Sequence, residues 1–338
     1  MSETVTLSSG ELEDLVRQAL VASNTSEDNA ACVARALVLA ESAGQKGHGI
    51  SRVASYSAQA LSGKVDGHAT PAMTTVKTAT VHIDANHGFA YPAIDLAIET
   101  LPALAREHGL SAAGISHSHH SGQAGYHVER LAQQGVIAMM FGNSPKAIAP
   151  WGSTTPVYGT NPLAFAAPRE CGPPLVVDLS LTKVARGKIM VAAKNNSPIP
   201  EGWALGPDGQ PTTDPHQALK GTMLPIGDAK GAALAMVFEI LAVALTGAKF
   251  GYEASSFFDA EGDRPGVGQI LIAFATDGIR DDGVFAARLE ALLDLVGAED
   301  GVRLPGTRSQ GLKQKSLKDG VVVSSTILAE VKKIASSV

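Results

Sequence analysis

The chain predicts an α/β fold: a covered sheet in the middle, with helical N- and C-terminal segments packing together as a second domain. Two observations point there. From residue 79 onward, strand-like and helix-like runs alternate with brief connections. At both ends, apolar residues recur at helical period instead. No internal repeat or low-complexity linker breaks the pattern. The expected organisation is a helical segment over 1–75, an α/β domain over 76–220, and a C-terminal α/β segment over 221–338 that returns to the first.

Taken in order, Ser8-Ser-Gly-Glu11 has capping-box spacing ahead of Leu12, Leu15, Val16, Ala19 and Leu20. A second helix starts near Thr25 or Ser26 and buries Val33, Leu37 and Ala40. Residues 44–49 interrupt it, a third helix covers about 51–61, and Gly63 to Gly67 reads as a turn. Strands follow at 79–84, 110–115, 136–141, 163–167, 175–178 and 269–275, with helices at 92–107 and 123–134. Residues 198–215, rich in Pro, Gly and Asp, form a long loop. Residues 230–246 are apolar on most sides, which predicts a buried helix, and 284–295 are amphipathic.

Composition narrows the function. Hydrophobic residues make up 45% and charged residues 18%, and the net charge of −6 comes without a basic run, so nucleic acid is not an expected partner. No apolar run reaches the roughly 18 residues of a membrane span, and the start shows no signal-peptide pattern, so a cytoplasmic enzyme is expected. Cys32 and Cys171 stand far apart, which supports neither a disulfide framework nor a thiolate zinc site.

Five segments carry candidate chemistry. Residues 117–127 hold four of the ten histidines, His117, His119, His120 and His127, between a strand and a helix. There Ser121, Gly122, Gln123 and Ala124 offer free amides and a helix start to a phosphate. A metal reading, and with it a metal-dependent hydrolase or lyase, is the alternative, but helical zinc spacing and a neighbouring carboxylate are both missing. In the second segment, His48 stands between Gly47 and Gly49, four residues before Arg52, and a glycine on either side is expected to let a ligand approach the ring closely. An imidazole titrates where neutral proton transfer needs it, and a guanidinium clamps a carboxylate; a turn histidine and a surface arginine are the plain alternative. Thr160 and Asn161 offer hydrogen bonds in a segment otherwise built for burial. Asp178, with Leu179 and Ser180, ends an apolar run at the expected mouth of a parallel sheet, where ligands bind or where a helix is capped. Lys230 stands near the start of the apolar helix. Neither G-x-G-x-x-G nor a P-loop is present, so a bound dinucleotide would need another backbone device for its pyrophosphate.

Together these segments resemble the type-2 malate/L-lactate dehydrogenase family. His48-Gly-Ile-Ser-Arg52 matches its S-H-G-x-x-R motif, and His119-His-Ser-Gly-Gln-Ala-Gly-Tyr126 its N-H-F-G-x-A-G-Y. Gly159 to Pro168 matches G-T-N-P-x-A-F-A-x-P, and Asp178 with Lys188 matches D-x-A-x-S…G-K. Gly227 to Gly231 matches G-G-x-K-G, and Arg303-Leu-Pro-Gly306 matches R-x-P-G. The resemblance implies a non-Rossmann dinucleotide-binding sheet domain and a homodimer with its active site near the subunit interface. It implies His48 as proton donor, with Arg52 and Thr160 on the substrate. It places His120, Ser121, Gly122, Gln123, Ala124, Asp178, Leu179, Ser180, Lys230, Arg303 and Arg308 along an NAD(P)H cofactor, NADPH ahead of NADH. Three positions depart from the motifs: Gly47 stands for Ser, His119 for Asn, and Ser121 for an aromatic residue.

Among the family's substrates, the chain most resembles members acting on Δ1-pyrroline-2-carboxylate and Δ1-piperideine-2-carboxylate. A cyclic 2-imino acid reductase making L-proline or L-pipecolate is therefore expected. A 2-hydroxy-acid dehydrogenase for malate, lactate or sulfolactate is the alternative. A second anionic group on the substrate would want a second cation, for which Lys46 is the candidate.

Overall fold

The computed structural model describes residues 3–337. The chain begins with strand β1 (Thr4–Leu7) and helices α1 (Ser9–Val21), α2 (Glu27–Ser42) and α3 (Val53–Ser62). The expected capping box forms: Ser8 Oγ accepts from the Glu11 amide at 3.2 Å, and Glu11 Oε2 accepts from the Ser8 amide at 3.0 Å. Between α2 and α3 the chain does not make the continuous helix that would put His48 and Arg52 one turn apart. It makes two short 3-10 turns, Lys46–His48 and Ile50–Arg52, joined by an extended Gly49.

Next come β2 (Ala72–Lys77), β3 (Thr80–Asp84), α4 (Ala90–His108), β4 (Leu110–Ser118), α5 (Ala124–Ala132), β5 (Val136–Gly142), β6 (Leu163–Ala167) and β7 (Leu175–Leu179). A small lobe follows, made of α6 (Arg186–Lys194), β8 (Ala204–Leu205), α7 (Pro215–Lys220) and β9 (Thr222–Met223), closed around Ile189, Ala204 and Met223. The chain then forms α8 (Ala229–Glu239), β10 (Val267–Ala275), α9 (Val284–Gly297), α10 (Thr307–Asp319), β11 (Val321–Ser324) and α11 (Ser325–Ala335).

The central sheet has seven strands in the order β2-β3-β4-β10-β5-β6-β7. Only β3 and β4 run parallel; every other neighbouring pair is antiparallel. The parallel-sheet mouth expected at Asp178 is therefore not what forms, because β7 lies antiparallel to β6. Strand–helix alternation misleads here: short strands β5, β6 and β7 reverse through loops, which antiparallel pairing permits. Residues 76–220 do not hold the whole sheet either, since β10, from the C-terminal third, occupies its centre.

Helices α4 and α5 cover one face, with Ile94, Leu101, Val128 and Leu131 packed onto Ile115, Ala138 and Leu271. The two chain ends share a second core, in which Leu12, Val16 and Leu37 meet Val321, Leu328 and Val331; β1 pairs antiparallel with β11 beside it. The apolar run expected as one buried helix splits. After Glu239 it widens into a π-helical stretch over Ile240–Ala244. Its Leu234, Met236, Val237, Ile240 and Leu245 stay exposed on this chain. Helix α9 buries only Leu293. Among the described residues, no helix is long and apolar enough to cross a membrane.

Candidate active site

Strand register gathers the candidate segments. Ser118 lies opposite Val267, Gln269 opposite Gly142, Phe141 opposite Leu163, and Leu163 opposite Leu179. The C-terminal ends of β4, β5 and β7 thus share one rim with the starts of β10 and β6. Residues 119–124, 143–144, 160–161 and 179–180 project from that rim.

His48 and Arg52 reach the same place from the terminal-helix side. The His48 ring stacks on His120 at 5.2 Å between centroids and 20° between planes. His120 Nδ1 hydrogen-bonds the Tyr56 hydroxyl at 2.6 Å, and Tyr56 lies 3.2 Å from the Tyr91 hydroxyl. No side chain at position 47 orients His48; the stacked, pinned His120 does so instead. His48 Nδ1 is buried without a partner. Enclosure of the ring, and then the Arg52 charge, pull the His48 pKa down to about 4.

Arg52 is 8% exposed. Its Nε donates to the Gly47 carbonyl at 2.7 Å, and the guanidinium lies 4.4 Å from the centre of the Phe258 ring. Its Nη1 is buried and unpartnered, and among the described residues no acidic side chain pairs with it. A buried guanidinium without a counter-ion is costly unless an anion completes it. The surface-arginine alternative fails on that burial.

Two expectations for this loop are corrected. Lys46 is not free: its Nζ bonds Glu41 Oε1 at 2.6 Å and the Val322 carbonyl at 2.6 Å. Gly49 does not open space for a ligand. A Cβ there would fall 2.1 Å from Glu41 Oε2, which accepts from the Ile50 amide. Glycine is needed so that this carboxylate can reach the backbone.

The histidine cluster separates into distinct roles. His117 pairs with Asp84 at 3.0 Å on the surface. His127 is fully buried and bonds the Ser121 carbonyl at 2.8 Å, holding the loop to α5. His119 is 1% exposed, with both ring nitrogens unpartnered, and burial first pulls its pKa down to about 3. It packs edge-on to Tyr56, Phe89 and Phe257. Among the described residues, no three His, Cys, Asp or Glu side chains converge as a metal site would require.

The rest of the rim gathers the segments for which a phosphorylated ligand is expected. Gly122 is left-handed at φ 67, and a Cβ there would sit 2.5 Å from the Tyr91 hydroxyl. Ser121 and Ala124 are buried, and the cap of α5, Gln123, lends the helix no side-chain bond. Asp178 does not cap a helix of its own, since it lies within β7; its Oδ2 instead reaches across to accept from the Gly125 amide in the first turn of α5 at 2.9 Å. Leu179 lies across from Leu163, and Ser180 Oγ lies 3.0 Å from Thr182 Oγ1. The turn before Lys230 is held to Leu181 and Lys183 by main-chain bonds, which brings that exposed lysine beside the end of β7. Gly306 packs on Val176, and Gln310 bonds the Pro174 carbonyl at 2.8 Å. Arg303 and Arg308 therefore border β7 with exposed side chains. Lys188 is exposed on α6.

Thr160 shares the rim without bonding to His48 or Arg52. Its amide and hydroxyl meet Ser144 Oγ at 2.9 and 3.2 Å. Its neighbours are tied to a residue that sequence reasoning missed, Glu239. That buried carboxylate accepts from the Gly159 and Gly251 amides and from the side chains of Asn161 and Asn143. Phe257 and Phe258 were missed as well. A lone acidic residue inside the apolar run 230–246 was the available signal for Glu239; the phenylalanines gave none.

A stacked imidazole beside a buried, unpaired guanidinium, at a rim that also carries a left-handed glycine ahead of a helix, is the most distinctive grouping of polar side chains in the fold. The malate/L-lactate dehydrogenase family model matches residues 7–332, and the chain belongs to that family. It is 50% identical to a (2R)-3-sulfolactate dehydrogenase (NADP(+)) of Chromohalobacter salexigens, over 90% of this chain and 91% of that protein. It is 36% identical to a Δ1-pyrroline-2-carboxylate reductase of Ancylobacter novellus, over 98% of each. The crystal structure of Δ1-piperideine-2-carboxylate reductase from Pseudomonas syringae pv. tomato superposes with a TM-score of 0.92 at 36% identity, covering 98% of this chain and 99% of that one.

Proposed function

We propose that this enzyme reduces a small cyclic 2-imino acid, Δ1-pyrroline-2-carboxylate or Δ1-piperideine-2-carboxylate, to L-proline or L-pipecolate with NADPH. The carrying observation is Arg52: buried, unpaired, and walled by Phe258 beside His48. One carboxylate satisfies that charge, and an apolar ring fits against the phenylalanines. Lys46 and Lys64, which a second anionic group would need, already hold carboxylate and carbonyl oxygens.

Bound NADPH would supply the hydride for the C=N carbon. His120 to Ala124, Asp178 to Ser180, Lys230, Arg303 and Arg308 would hold it. The chain's own residues do the rest. Arg52 takes the acceptor's carboxylate, and Thr160 adds a hydrogen bond. His48 delivers a proton to the nitrogen. Its low pKa in the free chain has a physical remedy: a bound carboxylate neutralises Arg52 and adds negative charge beside the ring. Both changes favour the imidazolium. Acceptor binding and protonation of His48 thus reinforce each other. The exposed apolar residues of α8 and the π-helical stretch would lie against a second copy in a homodimer.

The sulfolactate dehydrogenase relative, at 50% identity, favours a second reading in which a 2-oxo acid carrying a sulfonate is the acceptor. Following NADPH and NADH oxidation with both cyclic imines, pyruvate, oxaloacetate and sulfopyruvate separates the two. Higher kcat/KM for the imines is expected. Faster turnover of sulfopyruvate than of either imine would transfer the assignment to the second reading.

A further inference from the structure

Residues 257–261 cross the site as a strap, and one buried lysine holds them there. Phe257 is 5% exposed and packs 5.2 Å from both His119 and His120. Phe258 covers the Arg52 guanidinium. Just beyond them, Lys64 Nζ donates to the Asp259 carbonyl at 3.1 Å, Asp259 Oδ1 at 3.2 Å and the Glu261 carbonyl at 2.5 Å. The Lys64 side chain is 1% exposed, so this ammonium spends all three of its donors on the strap. Gln59, fully buried on α3, donates to the same Asp259 carbonyl at 2.9 Å.

The arrangement is directional. Arg52 precedes α3, Gln59 lies on it, and Lys64 follows just after the Gly63 that ends it. A single short helix therefore sets both the anion-binding guanidinium and the anchor of the aromatic wall above it. We propose that Lys64 is a positioning residue for the reaction, and that through it Phe258 determines which carboxylate acceptors fit over Arg52. The proposal rests on the reading of Arg52 as the carboxylate anchor. It requires no particular acceptor.

The test uses the full-length protein with Lys64→Met, Lys64→Arg and Phe258→Ala. Hydrogen exchange in the absence of any acceptor is expected to rise in the segment around 255–264 of Lys64→Met, while the sheet strands keep their protection. For whichever panel acceptor turns over, KM is expected to rise about tenfold in Lys64→Met, the size of a lost charge-assisted hydrogen bond. kcat and NADPH affinity should stay within about twofold, since the hydride and proton donors are untouched. Lys64→Arg should restore part of the KM. Phe258→Ala, a change at a partly exposed side chain, should alter the ratio of kcat/KM between pyruvate and the cyclic imines. An unchanged exchange pattern in Lys64→Met overturns the anchoring role whatever the substrate proves to be. An unchanged acceptor ratio in Phe258→Ala overturns the selectivity role. Failure of every acceptor in the unmodified enzyme, with the exchange result as expected, would instead count against the functional reading.

Discussion

The two sides of the rim are built differently. On the proposed acceptor side, His48, Arg52, His119, His120 and the strap are enclosed, stacked and pinned by buried hydroxyls and Lys64. On the proposed cofactor side, Lys230, Arg303 and Arg308 stand exposed, and only the backbone beneath them is fixed. A small acceptor offers few handles, so its geometry has to be imposed by a preformed cage. A dinucleotide carries many polar groups and can gather flexible cations as it binds.

That contrast can be broken by mutation. Arg52→Met removes the buried charge and should lower kcat/KM for the acceptor about a thousandfold, in the range for truncating one partner of a buried ion pair. NADPH affinity should be nearly unchanged; a parallel loss of NADPH binding in titration would show that the two sides are not independent. His48→Gln keeps a polar side chain and should cost about a hundredfold in kcat, as the loss of a general acid does. An unchanged rate would remove His48 from the reaction. Arg303→Ala with Arg308→Ala should raise KM for NADPH about tenfold, with less effect on NADH and none on the acceptor.

The smallest expected effect sharpens the comparison through pH. His127 and His119 are buried and neutral, with pKa values pulled to about 4 and about 3, chiefly by burial. Unfolded histidine takes its proton near pH 6.5. Below that value the unfolded chain binds protons that the folded chain refuses, so stability present above pH 6.5 is lost as pH falls toward 4. The slope should be roughly 1 kcal/mol per pH unit for each such histidine. Denaturant unfolding at stepped pH checks it, and His127→Phe should flatten the curve. A slope equal to that of the unmodified protein would place His127 outside the effect.

The sequence signals that held were local ones. Ser8 and Glu11 announce the first helix because a cap needs only its own turn. The periods of α4 and α5 are visible because each faces one continuous core. Motif spacing around His48 and His120 reached the site, since the rim collects strand ends whatever the strand direction. Direction itself was not legible. Nothing between residues 136 and 179 distinguishes antiparallel from parallel neighbours, and β10 enters the sheet from more than 80 residues beyond β7. β2 was missed because every residue in it is exposed, which leaves no alternation to read. Lys46 and Lys64 have partners, Val322 and Glu261, that only tertiary contact sets, while Glu41 lies near Lys46 and Gly49 in sequence but reaches them only because the 3-10 turns fold back on α2.

The position of β10 has a consequence for how the molecule is made. A ribosome delivers β4 and β5 early, but the strand that joins them arrives only with residues 267–275. Until then two strand edges lie open to wrong partners, a hazard for aggregation during synthesis. The pairing of β10 with β4 spans nearly half of the chain, so sheet formation and the meeting of β1 with β11 belong late in translation. A nascent chain stopped before β10 would carry most of the rim residues and still lack the strand that brings them together.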